Sequence, residues 1–377
     1  MLNKRKISLS YLKKIINEKG FVLKKKTNFF NFKDLKSFYL TSLTGFILII
    51  FFSLLPLSVD IKKDIELNKQ TVDNSSSLDF QKVLEGKAID NENLDNGLDI
   101  KDLFADIFSL NEDAQTDVVR LNASTVKELF KDTNYSLKNI RETGQVKPVK
   151  LSLLPKEIKN IQSTKEKKEL FLEIILPLVL EENNRIRLDR KKLFSILNKN
   201  NNTDQEIRWL NSKFKQYGVV KKDLATLKIR MDEVPVSLAL AQAAKETGWG
   251  TSRFAIEGNA LFGQWTWSGE GIKPAGADSS DGDHKVMKFK VLKASVRAYQ
   301  RNLNTHNSYR EFRLARAIMR DNEEELDSLT LANYLDKYAA TGKEYTIVLK
   351  KIIEQNSLKD FDKVKLLPSS IQLKNLV

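Results

Sequence analysis

Two kinds of hydrophobic pattern divide the chain. The first is a continuous run: residues 37–59 hold 23 positions without a charge, centred on Phe46-Ile47-Leu48-Ile49-Ile50-Phe51-Phe52. Roughly 20 apolar residues span a bilayer core as a helix, so this run predicts one transmembrane helix. The second kind is periodic and begins beyond Val118. Leu170, Phe171, Ile174, Ile175, Leu178 and Val179 repeat at helical spacing and predict a helix kinked at Pro177. Further helices are predicted over residues 204–217, 235–246, 295–304, 309–319, 328–338 and 343–354. Strand signal is confined to Lys285-Val286-Met287-Lys288-Phe289, which alternates after a Gly/Asp-rich loop. The expected fold class is therefore mainly α, a helical domain with a small β element inserted near residues 265–290.

Charge sharpens the division. The net charge of +14 over 377 residues resolves into +9 for residues 1–36, −9 for 60–117 and +14 for 118–377. A basic block ahead of an apolar run places the N-terminus in the cytoplasm and the remainder on the periplasmic or extracytoplasmic side. The apolar run ends in Leu54-Leu55-Pro56-Leu57-Ser58-Val59, without the small-residue pair of a cleavage site, which favours an uncleaved membrane anchor over a signal peptide. Residues 60–117, acidic and rich in Asn and Ser, read as a self-repelling linker. Within it, Ile100 to Phe108 carries apolar residues at the spacing of one short helix. The expected organisation is a basic cytoplasmic segment (1–36), the anchor (37–59), the linker (60–117), a connecting segment (118–159), one domain (160–356) and a tail (357–377).

Composition excludes several chemistries. The chain has no cysteine, which removes disulfides, thiolate nucleophiles and Cys-ligated metals, and only two histidines, His284 and His306. No metal site and no cofactor are indicated. Phosphate-binding glycine motifs are absent, so nucleotides are not expected ligands. With the positive charge split by an apolar run, nucleic acid is not an expected partner either, whereas the basic C-terminal part suits an anionic polymer.

The most informative segment is Val234 to Gly250. Pro235 suits the first turn of a helix, small and apolar residues follow all round it, and Gly248 suits the left-handed residue that ends it. Glu246 then falls in the last turn of a buried helix, where burial and the helix dipole both disfavour its ionised form. A carboxylic acid kept protonated near neutral pH is what a glycosidase uses to protonate a leaving oxygen, although helix position alone also fits an ordinary surface residue before a glycine stop. Downstream, Phe262, Gln264, Trp265 and Trp267 mix rings and amides with glycines, as sugar clefts do, although rings packed in a core would need no ligand.

Ala239-Leu240-Ala241-Gln242-Ala243-Ala244-Lys245-Glu246-Thr247-Gly248-Trp249-Gly250, then Glu257-Gly258-Asn259 and Leu261-Phe262-Gly263-Gln264-Trp265, resemble the Bax-type branch of the glucosaminidase domains grouped as glycoside hydrolase family 73. Leu176 to Leu180, Ser295 to Tyr299, Asn302 to His306 and Tyr338 to Leu349 extend the resemblance over roughly residues 160–356. It implies a lysozyme-like helical fold with a small β-lobe, peptidoglycan glycan strands as partner, and hydrolysis of the β-1,4 bond from N-acetylglucosamine to N-acetylmuramic acid. Glu246 takes the position of the catalytic acid. Gln242, Trp249, Phe262, Gln264, Trp265, Trp267 and Tyr345 become candidate substrate-binding residues, and Tyr338 a candidate to orient the N-acetyl group or water.

A second family carboxylate is expected on the β-lobe. The loop Gly276 to His284 offers Asp278, Asp281 and Asp283, with Glu270 nearby, and Asp283 and Asp281 are the candidates of choice. His284-Lys285-Val286 stands where Bax-type chains commonly have His-Glu-Val, so one family carboxylate is missing. Two routes stay open: a second carboxylate activates water, or the substrate's N-acetyl group attacks. A non-catalytic peptidoglycan-binding scaffold and a lytic transglycosylase are the alternative functions.

Overall fold

The structure, a computed structural model, describes residues 100–112, 118–266, 271–273 and 285–368. The expected basic segment, the anchor at 37–59, most of the acidic linker, Trp267, Asp281 and Asp283 lie outside the described residues, as do Glu270, Asp278 and His284. Among the described residues no helix is long and apolar enough to cross a membrane.

The described chain is mainly helical. The longest helix, α4 (Thr164–Leu197), begins at Ser163, whose hydroxyl accepts from the Glu166 amide. Pro177 lies inside it, and the helix continues on both sides of that residue. Its buried side, from Leu170 to Leu180, packs against α7 (Val236–Thr247), the helix the sequence predicts over 235–246. Helix α7 is buried almost all round: Leu238, Ala239, Leu240, Ala241 and Ala243 are fully inaccessible. Its small side chains let it pack closely against α12 (Lys343–Gln355) and the 3-10 turn Leu358–Phe361. Both ends of α7 are fixed. At the start, Asp362 accepts from the Ser237 amide (2.8 Å) and hydroxyl (2.7 Å), a cap supplied from the C-terminal segment. At the end, Gly248 takes the left-handed conformation (φ 55°) and its N–H meets Ala244 O.

The folded unit is wider than the span of the family resemblance. Helices α2 (Ala123–Asp132) and α3 (Leu137–Thr143) bury Val126, Phe130, Leu137 and Ile140 in the same core as α7. Strand β1 (Gln145–Val146) pairs in parallel with β5 (Lys365–Leu366), so segments expected as connector and tail are hydrogen-bonded to each other. Helix α1 (Ile100–Glu112) forms where the sequence suggests one, and it is docked. Leu103, Phe104 and Ile107 pack on Phe289, Ala294 and Ala298, while Asp106 accepts two bonds from Arg301 at 3.1 Å and one from Gln216 at 2.8 Å. The last part of the acidic linker is thus folded against α9 (Leu292–Thr305).

Helices α5 (Asp204–Gln216), α6 (Leu224–Arg230), α8 (Arg253–Gly258) and α10 (Arg310–Asp321) complete the helical body. The expected single helix over 328–338 is instead α11 (Ser328–Ala332) followed by a 3-10 turn, Asp336–Tyr338. Between them the amides of Asn333, Tyr334 and Leu335 each bond a carbonyl three residues back, which tightens the backbone out of α geometry. The β element is a three-stranded antiparallel sheet in the order β2-β4-β3, with β2 (Trp265–Thr266) and β3 (Gly271–Ile272) flanking β4 (Lys285–Met287). Trp265 stands opposite Val286 and Gly271 opposite Met287.

Candidate active site

Glu246 occupies the last turn of α7 and is half-buried. Its Oε1 accepts a 2.8 Å hydrogen bond from the Tyr345 hydroxyl, carried by α12. Tyr345 in turn accepts from Gln242 Nε2 (3.1 Å), one turn back on α7, and Tyr299 on α9 donates to Gln242 Oε1 (2.6 Å). The other carboxylate oxygen faces the Leu261 to Gln264 segment. A β-carbon at Gly263 would stand 3.2 Å from Glu246 Oε2, and Gly263 has φ +62°, so the backbone comes close to the acid where only glycine sits without strain.

The rings around the acid pack on one another. Tyr338 and Tyr345 stack with centroids 5.5 Å apart and planes at 9°, and Tyr338 donates to Phe262 O at 2.8 Å. Phe262 stacks on Tyr299 at 3.9 Å and 8°. Burial raises the pKa of Glu246; the bond from Tyr345 and the charge of Lys245 oppose it, and the net displacement is upward. Burial also pushes the phenols of Tyr345, Tyr299 and Tyr338 well above their usual value. The three tyrosines therefore stay protonated and act as hydrogen-bond donors, and the acid they surround prefers its neutral form more than a solvated glutamate does.

Several of the expected substrate-binding residues are packed against other parts of the protein. Gln242 and Tyr345, at 0% and 2% exposure, stand behind the carboxylate and hold it, with no face open to a glycan. Phe262 is equally enclosed: its ring is used up in the stack on Tyr299. Trp249, in a left-handed conformation (φ 61°), packs edge-on to Phe171 and under the Lys168 ammonium, 4.6 Å above its ring. Gln264 is buried beside Gly263, and among the described residues neither of its amide atoms has a hydrogen-bond partner. Trp265 contributes backbone to β2, and its side chain lies outside the described residues.

Two residues of the constellation, Tyr299 and Gly263, are not marked as site residues by the sequence. Tyr299 lies on the same face of α9 as Val296 and Leu303, and the signal it gives is that a buried tyrosine hydroxyl requires a partner. Gly263 gives none, because its close approach to Glu246 exists only in three dimensions. Among the described residues, no group of three or more His, Asp or Glu side chains is arranged to hold a metal ion.

The family model for glucosaminidase, described as mannosyl-glycoprotein endo-beta-N-acetylglucosaminidase, matches residues 222–358, which include Glu246, Tyr299 and Tyr345. The protein bax of Escherichia coli (strain K12) is 31% identical over 213 residues, covering 55% of this chain and 76% of that protein. No solved structure matches.

Proposed function

The chain belongs to the Bax-type family of glucosaminidase domains, and from that premise we propose that it is a membrane-anchored peptidoglycan hydrolase with Glu246 as general acid. The bond cleaved is the β-1,4 link from N-acetylglucosamine to N-acetylmuramic acid, on a lysozyme-like helical domain. Residues 37–59 anchor it with the N-terminus in the cytoplasm, and the acidic segment before α1 lets the domain reach the wall. The observation that carries the reading is the state of Glu246: partly buried, raised in pKa, with one oxygen held by Tyr345 and the other beside Gly263.

In the proposed step, the neutral carboxyl gives its proton to the glycosidic oxygen as the bond from that oxygen to the sugar C1 breaks. The resulting carboxylate keeps the Tyr345 bond, which strengthens as negative charge forms on Oε1. A carboxylate-activated water or the substrate's own N-acetyl oxygen meets the positive charge at C1. For the first route, Asp283 or Asp281 serves as base. Asp281→Asn or Asp283→Asn then lowers turnover at least ~100-fold with little change in melting temperature. Near wild-type turnover in the double variant would move the mechanism to the N-acetyl route.

Incubation of the full-length protein with purified sacculi tests the activity itself. Soluble glycan fragments are expected, and their yield depends on Glu246. Sedimentation with sacculi and no release would replace the hydrolase by a wall-binding protein.

A further inference from the structure

The three hydrogen bonds behind Glu246 all run in one direction. Tyr299 donates to Gln242 Oε1 at 2.6 Å, Gln242 Nε2 donates to Tyr345 at 3.1 Å, and Tyr345 donates to Glu246 Oε1 at 2.8 Å. The lengths favour this amide orientation. A 2.6 Å separation suits O–H···O and 3.1 Å suits N–H···O, whereas the flipped amide would put a nitrogen 2.6 Å from the Tyr299 oxygen, closer than such bonds run. A phenol has one proton. With Nε2 aimed at its oxygen, Tyr345 must direct that proton away from Gln242 and onto Glu246. With the amide reversed, Tyr345 would donate to Gln242, and Glu246 Oε1 would have to carry the proton shared with Tyr345.

We infer, resting on the reading of Glu246 as general acid, that Gln242 and Tyr299 are positioning residues which lock Tyr345 as donor to Oε1 and thereby leave the acid's proton on Oε2, the oxygen beside Gly263. Both residues are fully inaccessible, so neither meets substrate, and their hydrogen bonds reach the acid by way of Tyr345. Their geometry is fixed from outside the relay: Tyr299 is held by its stack on Phe262, and Tyr345 by its stack on Tyr338. The missing side chain at Gly263 keeps Oε2 uncovered, since a β-carbon there would stand 3.2 Å from it. Among the described residues, the charged and titratable groups that act on Glu246 or feel its charge are Lys245 and the phenols of Tyr299, Tyr338 and Tyr345. Burial keeps all three phenols protonated, so the relay does not itself titrate where the acid works.

Tyr299→Phe is the incisive variant, because it keeps the stacked ring and removes only the first donor. The readout is the titration midpoint of the Glu246 carboxyl, followed by carbon NMR in the full-length protein, which needs no turnover. Losing the donor to the carboxylate in Tyr345→Phe raises the midpoint by about one pH unit or more. Tyr299→Phe raises it in the same direction by about half a unit, as does Gln242→Met, which breaks the same chain from a different helix. In parallel, Tyr299→Phe lowers kcat about tenfold at unchanged KM, and the alkaline limb of its rate profile moves with the NMR midpoint. A midpoint unmoved in both Tyr299→Phe and Gln242→Met, beside a displaced Tyr345→Phe, would overturn the relay and leave the hydrolase reading intact. Displaced midpoints in a protein that does not turn over peptidoglycan would sustain the relay and remove the hydrolase reading.

Discussion

Glu246→Gln is expected to lower cleavage of peptidoglycan by ~100-fold to ~10,000-fold, while making the protein more stable at neutral pH. The two effects have one cause. Burial raises the Glu246 pKa above the usual glutamate value, so folding takes up a proton at this site between the unfolded and the folded pKa. Below the unfolded value the group is neutral in both states and contributes nothing. As pH rises through the folded value the buried carboxylate must ionise, and stability declines to a lower plateau. Glutamine carries no charge, and its Oε1 can still accept the Tyr345 bond. The variant should therefore melt higher than wild type above the folded pKa, with the difference vanishing toward pH 4. Thermal melts from pH 4 to 8, with turnover measured on the same samples, check both halves. A melting temperature that falls equally at every pH would mean that Glu246 serves packing and not acid chemistry.

The largest stability effect is expected from Asp232→Ala, at about 3–5 kcal/mol. Asp232 is 3% exposed and accepts from Arg320 at 3.1 and 3.2 Å, with Arg190 at 3.7 Å and Arg316 at 3.9 Å. Burial alone would raise its pKa, but the charges of Arg316, Arg190 and Arg320 outweigh it and hold the carboxyl below its usual value. Arg316, which is fully inaccessible, also donates to the carbonyls of Ile229, Asp232 and Glu233 and to Asn304 Oδ1. This network pins the turn that leads into Pro235 and α7. Removing the carboxylate strands a buried guanidinium, and the loss should appear as a lower urea midpoint. Asp232→Ala with Arg316→Met should recover part of it, since the uncompensated charge goes too. A loss under about 1 kcal/mol for the single variant would contradict the network's role.

Much of this was legible in the sequence because it depends on local chemistry. Pro235, the small-residue run and Gly248 mark both ends of α7, and the place of Glu246 in its last turn follows from them. The alternation at Lys285 to Phe289 gives the central strand of the small sheet, and Leu103, Phe104 and Ile107 give the periodicity of α1. What such spacing cannot supply is the partner. Nothing near α1 announces that Arg301, far along the chain, will meet Asp106, and strands as short as Gln145–Val146 and Lys365–Leu366 have no period to detect. For the same reason the enclosure of Gln242, Phe262 and Tyr345 beside Glu246 is not legible in the motif that contains them. A motif places residues along a helix, whereas the packing of α9 and α12 decides which of them faces the acid and which faces a ligand.

The most direct measurement is the chemistry of the ends released when the full-length protein digests purified sacculi, resolved by mass spectrometry of the soluble fragments. Hydrolysis with Glu246 as acid predicts fragments with reducing N-acetylglucosamine ends from wild type and at least ~100-fold fewer from Glu246→Gln. Anhydromuramic ends, reducing muramic acid ends, or equal release by both proteins would contradict it.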